Sequence, residues 1–157
     1  MWVVQRTRFG NMTCSIARTL DVAGEPWSPL IIRDVFLSIS RFDALQRDIG
    51  ISRKVLTQRL DWLVDHGILE RRPYSERPPR HEYALTERGL EFYEVLLAIS
   101  AWGDRWTAGT DGPPALFRHR SCGKLTHPEV HCSECGGRLR ATDVEVTPGP
   151  GYRPARR

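Results

Sequence analysis

Four side chains in "HRSCGKLTHPEVHCSECG" have the types and spacing of metal ligands: His119 and Cys122, then Cys132 and Cys135. Each pair is separated by two residues, which lets the backbone curl around a cation. Each is followed by a glycine, Gly123 or Gly136, that permits the turn. Four nitrogen and sulfur donors close a tetrahedron and leave no open position, so the chemistry expected is a structural zinc site rather than a catalytic one. Two other readings fit the same letters. One is a redox dithiol at Cys132 and Cys135. The other is an unmetallated segment in which His127 and His131 are ordinary surface residues. Phe117, Leu125, Val130 and Leu139 are the main large apolar residues between 117 and 146, too few to fold some thirty residues by burial alone.

A second constellation is cationic. Ile51–Leu60 carries Arg53, Lys54 and Arg59 and no acid, and Arg71–His81 carries four arginines against Glu76 alone. The rest of residues 1–116 does not share this bias. Residues 1–116 hold fifteen cations and fifteen acids, so the net charge of +4 comes from the segment beyond them, and only the local islands bear on a polyanionic partner. At 40% hydrophobic and 27% charged, with no apolar run long enough to cross a bilayer, the composition is that of a globular protein without a membrane span. "MWVVQRTRFGNMTC" lacks the apolar segment and cleavage site of a secretory signal, so a cytoplasmic protein is expected. No nucleophile with a paired base, phosphate loop or paired carboxylates marks an enzyme.

The elements that must position these groups follow from periodicity. "TCSIARTLDVA" and "WSPLIIRDVFLS" repeat apolar residues at helical spacing around a "GEP" turn. "SRFDALQRDI" predicts a short helix with Ser40 as its cap. After "GIS", Ser52 caps a helix running to about His66 and stopped by Gly67. Two helices meeting at a tight glycine turn form a helix-turn-helix. "ILERRPYS" and "RHEYALT" then predict a hairpin around "ERPP", and Thr86 caps a long helix ending near Trp106. On the Ser52 helix, Leu56, Leu60, Leu63 and Val64 gather on one side. Lys54, Gln58 and Asp61 point away, flanked by Thr57 and Arg59, with Ser52 and Arg53 in the first turn. That face, with Arg77 and Arg80 on the hairpin, suits the major groove and backbone of double-stranded DNA. A merely solvated face whose charges make surface ion pairs fits the pattern equally well.

"CSIARTLDVAGEPWSPLIIRDVF", "RFDALQRDIGISRKVLTQRLDWLVDHGILERR", "PPRHEYALTERG" and the Trp-ending helix resemble HxlR-type transcriptional regulators, relatives of the MarR group, over residues 12–106. The resemblance implies a winged helix-turn-helix of mainly α (α+β) class with a small β-hairpin. It also implies a homodimer on a pseudo-palindromic operator, with the Lys54 helix in the major groove and the Arg77–Arg80 loop as wing. "GEPW" departs from the family's usual two glycines and lysine before the tryptophan. Cys14 stands where some members carry an oxidant- or electrophile-sensing cysteine, with Arg18 one turn on; a small residue packed in a dimer interface is the competing reading. Trp27, Trp62, Trp102 and Trp106 could line a small-molecule effector pocket, though packing in the core and dimer accounts for them more simply.

The organisation expected is an extension at 1–11, the winged domain with its dimerisation helix at 12–107 and a linker at 108–116. A zinc-ribbon-like module follows at 117–146, then a disordered tail at 147–157. The alternative function is an interaction module whose ribbon-like segment binds RNA or the transcription machinery.

Overall fold

The structure, a computed structural model, describes Phe9 and residues 12–152. The expected N-terminal extension lies, apart from Phe9, outside the described residues, as does the end of the expected tail. Helices α1 (Ser15–Ala23), α2 (Trp27–Phe36), α3 (Phe42–Ile49) and α4 (Arg53–Asp65) come first. An antiparallel hairpin follows, β1 (Leu69–Glu76) with β2 (Pro79–Leu85), and then helix α5 (Glu87–Trp106). The short strands β3 (Phe117–Arg118) and β4 (Leu125–Thr126) pair antiparallel beyond it. The described residues up to Tyr93, with those from Pro148 to Tyr152, form one compact unit; Glu94–Thr147 form another. Among the described residues no helix is long and apolar enough to cross a membrane.

The first unit is built around helix faces that the periodicity marks. Ile31 and Ile32 of α2, Leu45 of α3, and Leu56, Leu60 and Leu63 of α4 are completely buried, and Ile68 and Leu69 nearly so. Burial of such side chains stabilises by roughly 1.5–3 kcal/mol each and fixes which side of α4 faces outward. Both ends of α4 are set locally. Gly50 takes φ 74° between α3 and α4, a left-handed turn that suits glycine. Ser52 Oγ accepts from the Val55 amide at 3.3 Å. Ile51 and Leu56, at the two positions of a hydrophobic staple, are both buried. At the other end Gly67 has φ 66°, its amide donates to Val64 O and that of Ile68 donates to Leu63 O, both at 2.9 Å. This double closure is a Schellman motif, with Leu63 and Ile68 buried as it requires.

One expected cap is not formed. Ser40 lies outside α3, whose cap position is Arg41 and carries no side-chain hydrogen bond. Ser40 instead ties the helix pair to the hairpin, its Oγ donating to Glu82 Oε2 at 3.3 Å and its carbonyl accepting from the Tyr83 amide at 2.8 Å. A long-range partner has displaced a local one.

The hairpin pairs Leu69 with Leu85 at its base and Glu76 with Pro79 at its tip, with an irregularity at Tyr74. Its base is joined to α5. Thr86 Oγ1 accepts from the Gly89 amide at 3.1 Å, as the expected cap, and donates to Gly67 O at 2.6 Å. Arg88 Nη1 donates to His66 O at 2.8 Å. The start of α5 therefore satisfies the cap carbonyl of α4 at His66 and the carbonyl of the turn residue Gly67 after it. Gly89 is required there: a Cβ would lie 2.3 Å from Ile68 O.

Candidate nucleic-acid interface

Helix α4 presents Lys54, Thr57 and Gln58 as exposed side chains opposite its buried leucines, with Ser52 and Arg53 exposed in its first turn. Not all of the cations expected on DNA are equally available. Arg59 is only 24% exposed, and its Nε lies 3.1 Å from Glu25 Oε2, though its N–H is not aligned for a hydrogen bond. Glu25 Oε1 meanwhile accepts from the Ser28 amide at 2.7 Å and its hydroxyl at 2.5 Å. One carboxylate in "GEPW" thus caps α2 and holds α4. Arg53 pairs with Asp43 Oδ1 at 2.9 Å and lies over the Phe42 ring, binding α4 to α3. Asp61 pairs with Arg71 of the hairpin. Arg59 and Asp61 thereby follow the ion-pair reading, whereas Lys54, Thr57 and Gln58 keep the free polar face.

Arg77 and Arg80 are exposed at and beside the hairpin tip. Sequence reasoning missed their neighbours. A cleft of about 470 Å³ opens between α3 and the hairpin, and Arg41, Arg47, Arg53, Arg80 and His81 line it against a single acid, Asp43. Arg41 lies 4.4 Å over the Tyr74 ring, a cation–π contact that places the guanidinium without neutralising it. The signal was the pair of arginines flanking "FDALQ", six residues apart, but only the fold brings them beside the wing. With four guanidinium groups in its lining against one carboxylate, the cleft is suited to backbone phosphates and extends the cationic surface across both halves of the helix-turn-helix.

Two further groups lie apart from this surface. Cys14 is exposed at the position preceding α1, its carbonyl accepting from the Arg18 amide at 3.1 Å. Asp34 is fully buried; its Oδ1 binds Arg33, while Oδ2 has no hydrogen-bond partner among the described residues. Burial holds its carboxyl above the ordinary carboxylate range despite the attraction of Arg33.

In the second unit the expected metal ligands stand as two pairs. Cys122 Sγ lies 3.5 Å from His119 Nδ1. Backbone amides of Cys135 and Glu134 lower the pKa of the Cys132 thiol by stabilising its thiolate. Among the described residues no three His, Cys, Asp or Glu side chains converge on one point. The expected fourfold set is therefore not assembled among the described residues.

Two helices joined at a glycine turn, the second with a polar outer face, and a cationic hairpin wing define a winged helix-turn-helix DNA-binding domain. A family profile described as HxlR-like helix-turn-helix matches residues 22–111. The chain belongs to that family, and the matched span overlaps the expected one through Trp106. An HTH-type transcriptional regulator of Mycobacterium tuberculosis is 40% identical over 139 residues, covering 88% of each chain. Among solved structures, PA1607, described as a transcription factor, is 33% identical with a TM-score of 0.78, over 90% of this chain and 99% of that one. The redox regulator HypR in its reduced form is 31% identical with a TM-score of 0.54, over 59% of this chain and 92% of that one. The protein is therefore a transcriptional regulator with a helix-turn-helix DNA-binding fold.

Proposed function

We propose that the protein acts as a homodimer on a pseudo-palindromic operator, with α4 of each protomer in the major groove and each wing on the adjacent backbone. The observation that carries this reading is the outer face of α4. Lys54, Thr57 and Gln58 stand free on a helix whose opposite side and both ends are fixed. Dimerisation is supported by apolar side chains left uncovered on two helices: Met12, Ile16 and Leu20 at α1, and Val95, Ile99, Trp102 and Trp106 along α5. Side chains of this size, exposed at 57% for Ile99 and 63% for Trp102, support an interaction surface there, since among the described residues no helix is long and apolar enough to cross a membrane. A second copy of the same surface would give the two-fold symmetry that a palindromic site requires.

Selection of binding sites from genomic DNA tests the proposal. Recovery of a two-fold repeated sequence, protected by the parent protein and not by Lys54→Ala, is the expected result. Sequence-independent binding by both proteins overturns it. Redox responsiveness forms part of the same reading, because Cys14 is exposed at the start of α1 in a chain similar to a redox regulator. Treatment with a thiol oxidant should change operator affinity in the parent and leave Cys14→Ser unchanged. An identical response in both proteins removes Cys14 from the mechanism.

A further inference from the structure

The segment after α5 is ordered without a core. From Thr107 to Thr147 no described residue is buried, and Leu125, Val130, Leu139 and Val144 are all exposed. Apolar burial of that extent cannot offset the conformational entropy of fixing some forty residues, which costs roughly 1–2 kcal/mol each for the backbone alone. Yet the backbone is regular, and it repeats itself. In the first knuckle the Gly123 amide donates to His119 O at 2.8 Å, and the His119 amide donates to Lys124 O at 2.9 Å. In the second the Gly136 amide donates to Cys132 O at 2.9 Å, and the Cys132 amide donates to Gly137 O at 2.8 Å. Gly123 and Gly136 share a φ of 69°. Each knuckle also sits on a short antiparallel pairing, β3 with β4 for the first and His131 with Arg138 for the second. The second knuckle faces the end of α5 across an open cavity lined by Trp102, Trp106, Val130 and Leu139, but no side chain of either knuckle is buried there, so packing does not account for two copies of one turn that carry donors at the same two positions.

We propose that His119, Cys122, Cys132 and Cys135 bind one zinc ion, which draws the two knuckles together and supplies the cross-link that replaces a core. Three thiolates and an imidazole suit zinc over hard cations such as calcium or magnesium, which take oxygen ligands. Each thiol gives its proton to solvent as its sulfur binds, and the resulting complex carries one net negative charge. Arg118, Arg120 and Lys124 on the first knuckle offset it. His119 is the nitrogen donor rather than His131. The His131 ring is already engaged, with Nδ1 2.9 Å from Gly136 O and Nε2 3.5 Å from Glu129 Oε2. His119 has its ring beside the neighbouring donor, Nδ1 3.5 Å from Cys122 Sγ, and its other ring contact is only the exposed Ser121 hydroxyl at 3.1–3.2 Å, which a cation can displace.

Metal analysis of the reduced full-length protein, purified without a metal-affinity step, should find one zinc per chain. Cobalt(II) exchanged into the site should show the visible bands of a tetrahedral ion with thiolate charge transfer. That charge transfer should fall in Cys122→Ser in proportion to one thiolate of three. His119→Ala should weaken zinc at least tenfold while His131→Ala leaves it unchanged. In a heteronuclear NMR spectrum, Cys132→Ser/Cys135→Ser should collapse the dispersion of residues 117–146 and retain that of the winged helix. Absence of zinc and cobalt from the reduced protein overturns the proposal, as does a Cys132–Cys135 disulfide in an otherwise ordered, metal-free segment. Binding that is indifferent to both His119 and Cys122 overturns the ligand set.

Discussion

Lys54 and Gln58 stand one turn apart on the free side of α4, and what distinguishes them from the hairpin arginines is the kind of contact each can make. A side chain that bonds a base edge discriminates sequence, so Lys54→Ala or Gln58→Ala should weaken the cognate operator by about 1–3 kcal/mol and unrelated DNA less. Arg80→Ala should weaken all DNA nearly equally and lower the slope of log affinity against log salt by about one. Filter binding across a salt series on both sequences separates the two; equal losses on both for Lys54→Ala would place that lysine on phosphate. Asp34 makes a different prediction. Its folded pKa lies above the ordinary 3.8 because burial outweighs the Arg33 pair. The unfolded chain therefore releases this proton first, and the Asp34 contribution to stability declines as pH rises from about 4 to above its folded pKa. Asp34→Asn lacks that decline, so its stability relative to the parent should improve between pH 4 and pH 7 in urea titrations; a flat difference would show the ion pair to dominate. Neither Glu25–Arg59 nor Arg71–Asp61 was legible beforehand, although the outward direction of Lys54 and Gln58 was. Helical period fixes direction, whereas an ion pair depends on which distant residue the fold brings within reach.

Helix α4 was the most legible element because its limits are written locally: a serine cap, a buried leucine repeat and a glycine stop. Helix α3 shows the limit of such reading, since Ser40 has the type and place of a cap but bonds Glu82, forty-two residues away. The junction between α4 and α5 was legible in Thr86 and Gly67 separately and not in their contact. It predicts that Gly89→Ala, harmless to an isolated helix, will force Ile68 O aside and cost about 1–3 kcal/mol, seen as a lowered urea midpoint. An unchanged midpoint would mean that α5 can slide along the hairpin base at no cost. Glu25→Ala should remove a cap and the Arg59 tie together, lowering stability by about 1–2 kcal/mol in the same assay. Loss no greater in Glu25→Ala than in Arg59→Ala would assign the whole effect to the ion pair.

Across the whole molecule, the winged domain was readable because it buries what its periodicity marks, while α5 was readable only in part. Its role as a dimerisation helix was expected, but which of its apolar residues go uncovered within one chain, Val95, Ile99, Trp102 and Trp106 in contrast to the buried Leu96, is not set by the linear pattern alone. If that face is a dimer contact, Ile99→Asp should shift sedimentation at micromolar concentration from dimer to monomer and abolish two-site operator binding; a dimer that persists moves the contact elsewhere. The cap that α5 places on α4 then acquires a consequence for the DNA. Arg88 bonds the cap carbonyl, His66 O, of the helix that would read one half-site, Thr86 bonds Gly67 O just beyond it, and both stand at the start of the helix whose far half would meet the partner. If the dimer holds its two reading helices in one fixed relation, the separation of the half-sites is fixed with them. Inserting about five base pairs between half-sites turns the second site to the far side of the duplex, and inserting about ten restores its facing but not its distance. Both insertions should defeat the protein alike, giving an operator of fixed phase and fixed length rather than one that tolerates whole turns.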